Sequence, residues 1–293
     1  MVEDNTEEPI KEEINLQYHW YMLSFFIIYL GSLIFPIILL MSYIMLFYLP
    51  NFLSIDNFFT LFTRVDSIIT SILLPIIIIV AYLLHILIMG LITKWHWSIT
   101  EKRSPSKSGI IPRNIISKTQ NFYHIRSFMI KYPKNAVLRG PFPWLIRWLY
   151  NLVGCTSVGK GSVIEEQFGA DRFVEMGRNC YFGVNGAISS HAVEGIFGNI
   201  SFSKINIGDN VAASAFNCLG PGVEIGNNAG ILPMTGATKY NKLKGDDYYL
   251  GTPLRRIFKK KIQKYLQVSE DDLKRAEDVW VSDESQEEGK KIE

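Results

Sequence analysis

Between residues 207 and 236 the chain repeats one six-residue pattern five times without interruption: Ile207-Gly208-Asp209-Asn210-Val211-Ala212, Ala213 to Cys218, Leu219-Gly220-Pro221-Gly222-Val223-Glu224, Ile225-Gly226-Asn227-Asn228-Ala229-Gly230 and Ile231 to Gly236. Each hexad opens with an apolar residue, mostly follows it with a tiny one, and usually carries a small or short apolar residue at its fifth place. A period of six fits neither a helix nor a hairpin sheet. It fits a coil of three flat faces with one hexad per face, which is a parallel β-helix solenoid.

The frame extends upstream through Val158, Ile164, Met176, Phe182 and Ile188. Gly159, Gly177, Gly183 and Ser189 take the second place, and Ser162, Cys180, Gly186 and Ala192 the fifth. The leading aliphatic is expected to point into a narrow prism and stack on its equivalents. The second residue is expected at a tight corner, where glycine carries no steric penalty. From Ile188 to Ile207 the spacing is 19, three hexads and one extra residue, so an irregular hexad or an outward loop is expected over 194–206.

Apolar residues make up 48% of the 293, unevenly spread. Residues 21–49 and 67–93 hold no charged side chain. A 27-residue run such as 67–93 makes roughly 40 Å of helix, against a hydrocarbon core of about 30 Å. Pro36 and Pro75 lie inside the runs, where membrane helices tolerate proline. A cleaved signal peptide fits poorly, because the first run is too long and its N-terminal flank is acidic. The connection 50–66 has Arg64 as its one basic residue. Lys94, Lys102, Arg103, Lys107, Arg113 and Lys118 follow the second run. The positive-inside rule then places the N-terminus and everything after residue 93 in the cytoplasm, at the cell membrane. His85 inside the second run is read as a satisfied polar residue. His19 and His96 fall at the membrane boundary and His124 in the linker.

Residues 1–13 carry six acids and one base, and 269–293 ten acids and four bases, which leaves 14–268 near +13. Such a surface suits anionic lipid headgroups or a phosphorylated ligand. Nucleic acid is not expected, since no binding motif accompanies the charge. Cys155, Cys180 and Cys218 are too dispersed for a zinc clip and read as reduced thiols.

Between runs and repeats, Phe122, Ile125, Met129 and Tyr132 keep helical spacing up to Pro133. Pro143 opens and Gly154 closes a short helix. Trp144, Trp148 and Leu152 share its face with Leu145 and Leu149. That face either caps the open end of the solenoid or lies in the membrane interface. The expected layout is an acidic N-terminus over 1–17, two transmembrane helices within 18–93, a helical linker over 94–153, the β-helix over 154–257, and a C-terminal helix with an acidic tail over 258–293.

The hexads resemble those of the left-handed β-helix acyltransferases, which include maltose and serine acetyltransferases, from about Gly154 to Ile257. The segment Gly251-Thr252-Pro253-Leu254-Arg255-Arg256-Ile257 resembles the family's closing Gly-x-Pro-Ala-(Lys/Arg), with Leu254 in place of the usual alanine. Membrane runs followed by a Gly-Pro-aromatic-Arg helix (Gly140 to Arg147) and hexads are also similar to the membrane-bound C-terminal region of bacterial poly-lysine synthetases. The resemblance implies an all-β left-handed parallel β-helix attached to a two-helix transmembrane hairpin. It further implies a homotrimer with sites between prisms, and transfer of an acyl group, often acetyl, from coenzyme A to a hydroxyl or amine.

That chemistry needs a base, and histidine suits it. His191 is the one histidine within the hexads, just before the irregular segment, and a histidine at such a turn matches the family's catalytic position. Glu194 is the candidate to orient its imidazole, and Asn185 a weaker candidate for substrate contact. For the coenzyme A donor, Arg255 and Arg256 are candidate phosphate contacts. Gly236, Ala237 and Gly251 are candidates to let backbone approach the pantetheine arm, as in the family. Lys259, Lys260 and Lys261 fit better as a helix face beside anionic lipid. No metal is expected: a γ-type carbonic anhydrase needs three histidines around zinc. Two other readings stay open. One is a non-catalytic trimeric scaffold. The other is amide-bond formation with a carrier-bound donor supplied by another protein. The acceptor, a small molecule or a lipid-linked one, is not legible.

Overall fold

A computed structural model describes residues 18–257 apart from 56, 114, 116, 169–171 and 196–197, with isolated positions beyond 257. The expected acidic N-terminus (1–17), the C-terminal helix and tail, and Lys259, Lys260 and Lys261 lie outside the described residues.

Both charge-free runs are helical. Helix α1 (Tyr18–Tyr43) continues through a π-helical turn at Ile44–Tyr48 into α2 (Leu49–Leu53); α3 (Thr60–Thr63) leads into α4 (Val65–Arg103). Each of the two long helices is long and apolar enough to cross a membrane. They run antiparallel: the Tyr43 hydroxyl donates to the Thr70 carbonyl at 2.5 Å, and His85 Nδ1 lies 3.2 Å from the Ser32 carbonyl. His85 Nε2 meets the Tyr132 hydroxyl at 2.9 Å, so both ring nitrogens are satisfied. Ser24, Ser32, Ser67, Thr70 and Thr93 are buried, while Phe35, Leu46, Ile72 and many other large apolar residues face outward. Small polar residues inside and apolar ones outside invert the pattern of a water-soluble helix pair.

The linker forms β1 (Gly109–Pro112), α5 (Lys118–Met129), α6 (Lys131–Leu138), a 3-10 turn (Pro143–Leu145) and α7 (Ile146–Val153). Ser117 caps α5 by accepting from the Gln120 N–H at 3.1 Å. Pro133 does not end the helical region. It sits in the first turn of α6, where the missing N–H would have no intrahelical partner. The two expectations for α7 divide between its faces. Ile146, Leu149, Tyr150 and Val153 are buried against the prism, and the Asn151 side chain pairs with the Val158 N–H and carbonyl at 2.9 Å each, as a neighbouring strand would. The Trp148–Leu152 side lies on α4 at Gly90, where an added Cβ would meet Leu152 Cδ2 at 2.9 Å. Trp144, expected on the capping face, is 69% exposed. Helix α6 also reaches α4, through the Tyr82 hydroxyl donating to the Ala136 carbonyl at 3.1 Å. The linker thus covers α4 around residues 82–90, well inside the charge-free run.

The repeats wind into three stacked parallel faces. One face holds β2 (Thr156–Val158), β5 (Val174–Met176), β10 (Ile205–Ile207), β13 (Glu224–Ile225) and β16 (Lys242–Leu243). The next holds β3 (Val163–Ile164), β6 (Tyr181–Phe182), β11 (Ala212–Ala213), β14 (Gly230–Ile231) and β17 (Tyr248–Leu250). The third holds β4 (Gln167–Phe168), β7 (Gly186–Ile188), β12 (Cys218–Leu219) and β15 (Gly236–Ala237). Leading residues from Val158 to Ile231 are buried as expected, and the frame runs on through Ala237, Leu243 and Tyr249. One core joins Ile28, Met89 and Trp97 of the long helices to Tyr249 at the far end of the coil.

Paired residues in successive coils are mostly 18 apart, as Asn206 with Glu224 and Glu224 with Lys242, but between the second and third coils they are 31 apart on every face, as Val174 with Ile205, Phe182 with Ala213 and Ile188 with Leu219. The gap from Ile188 to Ile207 is therefore one hexad plus a 13-residue insertion, which favours the outward loop expected over 194–206 above the irregular hexad. The insertion is a hairpin of β8 (His191–Glu194) and β9 (Asn199–Phe202), extended by β1 into an antiparallel sheet.

The roles of the small residues also differ from expectation. The left-handed corner is the fourth place, taken by Gly161, Phe173, Asn179, Asn185, Asn210, Phe216, Gly222, Asn228, Met234, Tyr240 and Asp246, all with φ between 53° and 78°. The second-place glycines have no positive φ. They are small because the next coil lies against them: an added Cβ on Gly208 would stand 2.7 Å from the Asn227 nitrogen. At one corner the fourth-place side chains form a ladder, Asn210 Nδ2 to Asn228 Oδ1 at 3.0 Å and Asn228 Nδ2 to Asp246 Oδ1 at 2.9 Å. Cys155 and Cys180 are buried and Cys218 exposed, all as free thiols.

Candidate functional site

His191 opens the inserted hairpin, immediately after the third face of the second coil. The hairpin does not stand free. Its base is tied to the coil by Ser203 donating to the Tyr240 hydroxyl at 3.2 Å and by the Lys204–Glu175 ion pair, and its outer edge by β1. His191 is half-buried, edge-on to the Tyr123 ring of α5 at 5.8 Å between centroids, with Nδ1 3.4 Å from Ser189 Oγ.

Residues 191 and 194 are three apart on a strand and point to opposite faces. Glu194 is ion-paired with Lys239 of the fourth coil, which holds its carboxyl below the usual range. The expectation that Glu194 orients the imidazole is therefore corrected: Glu194 anchors the hairpin. Asn185, at φ 56°, is a fourth-place corner residue, and asparagine is explained there by the backbone alone.

What surrounds His191 instead is cationic. Arg172 lies 2% exposed, its guanidinium over the Tyr123 ring at 4.3 Å and near the Phe202 ring at 5.4 Å, with Nη1 donating to the Tyr123 carbonyl at 2.9 Å. Burial pushes the His191 imidazole down to about 4, helped by Arg172, Lys131 and His124. Burial likewise lowers His124, with Arg172 and Arg113 adding to the shift. His191 is thus unprotonated at physiological pH, and burial and its cationic neighbours make it a weaker base than a free imidazole.

At the other end of the coil, β18 (Arg255–Ile257) turns back antiparallel on β17. An open groove of about 520 Å³ is lined by Leu250, Gly251, Thr252, Pro253, Arg255, Arg256 and Ile257. Arg255 is exposed on it, while Arg256 bonds Asp247 at 2.7 Å. Gly251 adopts φ 90° and its carbonyl accepts from the Gly236 N–H at 3.2 Å. Ala237 lies next to Gly236 on β15. Its side chain is a leading residue inside the prism, and its carbonyl accepts from Gly220 at 2.9 Å. The structure thus gathers Gly236, Gly251, Arg255 and Arg256 at one end, with His191 at the close of the second coil, two coils from Gly236 and three from Gly251, roughly 10–14 Å along the axis. Among the described residues no group of three or more His, Cys, Asp or Glu side chains could hold a metal ion.

Arg172 and Tyr123 escape a reading of the sequence. Arg172 occupies the third place of its hexad, where Lys160, Arg178, Asn227 and Lys239 are exposed, so the repeat predicts a solvated side chain. Among the described residues, Tyr123 of α5 and Phe202 of the hairpin fold over that corner and cover its guanidinium.

No protein family and no curated protein matches the chain. Solved structures similar to it include a hexapeptide-repeat-containing acetyltransferase from Vibrio cholerae, VCA0836, complexed with acetyl coenzyme A. It is 17% identical over 36% of this chain and 61% of its own, with a TM-score of 0.33. The N-acyltransferase AntD from Bacillus cereus, in complex with dTDP and 3-hydroxybutyryl-CoA, is 17% identical over 43% and 82%, with a TM-score of 0.29. A maltose O-acetyltransferase from Clostridium difficile 630 is 16% identical over 58% and 87%, also at 0.29. The chain spans about three fifths of the length of the first of these.

Proposed function

We propose that this chain is a membrane-anchored acyltransferase that moves an acyl group from coenzyme A to a hydroxyl or amine, with His191 as general base. The observation that carries the reading is His191 itself: a neutral imidazole at the root of an inserted hairpin in a hexapeptide coil. In the reaction, His191 Nε2 or Nδ1 takes the acceptor's proton as the acceptor oxygen or nitrogen bonds the thioester carbonyl carbon. The carbon–sulfur bond then breaks, and the coenzyme A thiolate leaves with the proton from the imidazolium. Arg255, beside Gly251 in the closing groove, is the candidate contact for coenzyme A phosphates. Arg256 would first have to exchange Asp247.

Further parts belong to this reading: a left-handed coil, a trimer that brings a neighbouring prism's groove to His191, and a transmembrane pair with both ends cytoplasmic. Support for the membrane comes from the inverted polarity of α1 and α4. With α6 and α7 against α4 at 82–90, these two helices dip into the cytoplasmic side of the membrane beside α4.

The test is calorimetric titration of acetyl-coenzyme A into the detergent-purified chain, beside Arg255→Ala and His191→Asn. Binding weakened by Arg255→Ala and intact in His191→Asn, with thiol release lost in the latter, supports the reading. Absence of binding in the wild type overturns it in favour of a trimeric scaffold or of a carrier-bound donor. The packing of His191 against Tyr123 is the observation on the scaffold's side.

A further inference from the structure

Among the described residues, Arg172 is a buried cation without a counter-ion. Its Nε and Nη2 are both buried and have no hydrogen-bond partner, while Nη1 is used by the Tyr123 carbonyl. Nε and Nη2 form one edge of the guanidinium, with parallel N–H bonds spaced for two oxygens of a single carboxylate or phosphate. His124 on α5, which also flanks His191, has an unpartnered buried Nε2 as well. Among the described residues the charged side chains that bear on them are Arg126, Lys131 and Arg113, all basic; the Tyr123 hydroxyl and the Cys155 thiol are the ionisable groups that favour the Arg172 cation. Burial lowers the guanidinium only to about 10, so it stays charged at neutral pH. An unpaired buried charge of this kind is costly, and a bound anion removes the cost.

We propose that the corner formed by Arg172, His124 and His191 is an oxyanion site, which holds a phosphate group through the Arg172 Nε/Nη2 edge. Rings close the guanidinium faces and leave that edge as the recognition element. The site adjoins α1, since Tyr21 lies edge-on to His124 at 6.1 Å. The phosphate can therefore belong to a lipid headgroup or to a soluble phosphate ester. Resting on the acyltransferase reading, the group bound is part of the acceptor, which Arg172 positions with its nucleophile toward His191.

The experiment is titration of inorganic phosphate, without coenzyme A, into full-length protein in phosphatidylcholine nanodiscs, read by calorimetry and by thermal melting. The expected result is saturable binding with a rise in melting temperature. Binding should weaken at least tenfold in Arg172→Lys, which keeps the charge but loses the two-pronged edge, and vanish in Arg172→Met. Nanodiscs containing phosphatidic acid separate the sources. Loss of phosphate binding there identifies a headgroup in the site, and retention identifies a soluble ligand; either supports the site. No saturable binding to the wild type overturns the proposal, as does equal binding to Arg172→Lys in a monodisperse preparation. Phosphate binding fails or holds independently of acetyl-coenzyme A binding, so the two readings are overturned separately.

Discussion

Two glycines separate the two reasons a coil can demand a residue without a side chain. Gly154 ends α7 at φ 79°, and a Cβ there would meet nothing within 4 Å. Its substitution is purely conformational. Alanine costs about 1–2 kcal/mol for the left-handed backbone, offset by about 0.4–1 kcal/mol from the stiffer unfolded chain. Asparagine, which tolerates this region, should recover much of the difference. Gly208 has no positive φ, but its Cβ would stand 2.7 Å from the Asn227 nitrogen and 2.9 Å from the Gly226 carbonyl carbon. Those are backbone atoms of the next coil, held by the Gly208 N–H bond to Ile225 at 2.8 Å. Relief requires prying two coils apart, so alanine should cost about 1–3 kcal/mol and asparagine more, as with any overpacked site. At about 2–4 °C per kcal/mol for a domain of this size, tryptophan-detected melting of the purified chain resolves these differences. The expected order is Gly154→Asn above Gly154→Ala, and Gly208→Ala above Gly208→Asn. If Gly208→Asn melts at or above Gly208→Ala, the second place needs backbone freedom after all and the close-packing argument is wrong.

Three further outcomes are expected. Asn151→Ala removes both bonds to Val158 at the coil's first edge and should lower stability by about 1–3 kcal/mol, whereas Asn151→Asp should lose only the half in which the amide donates; urea titrations measure both. Because the folded state depresses the His191 pKa to about 4 from 6.5, the unfolded chain binds more protons between those values. Stability should therefore fall as pH drops from about 6.5 to 4, by at most about 3 kcal/mol, and His191→Asn should flatten that slope in melts taken across the window. The same depression predicts a transfer rate that does not decline between pH 8 and 6 through protonation of His191. Gly90→Val should separate α7 from α4, lowering the melting temperature in nanodiscs and raising Trp148 exposure to a soluble quencher.

The coil was legible because its period is enforced twice. Leading residues must fill a narrow prism, and second-place residues must admit the neighbouring coil, so both leave a mark every six positions. The mark carries no label of cause, which is why glycine at the second place read as a corner when the corner lies at the fourth. There Phe216, Met234 and Tyr240 hide the signal that Asn210 and Asn228 display. The insertion was visible as a break in the frame, and the outward loop expected over 194–206 has its length. Hexads can be counted through any stretch with an aliphatic at the right spacing, and only pairing across coils shows that Val174 meets Ile205. The surroundings of His191 were not legible at all. Tyr123, His124 and Arg172 are brought to it by a hairpin and a helix whose packing no local pattern encodes. For the same reason Glu194 looked like a partner at three residues' distance when strand alternation had turned it toward Lys239.

The continuity of the core from Ile28 and Met89 to Tyr249 fixes what can be cut from this chain. The helix pair and the coil share a wall: Phe128 of α5 stacks on Tyr21, and α7 is both the lid of the prism and a neighbour of Gly90. A fragment beginning after Arg103 bares one side of that wall, and one beginning at Gly154 uncaps the prism. Neither is a natural unit for purification, and the coil is best handled with its helices attached, because one core runs through both.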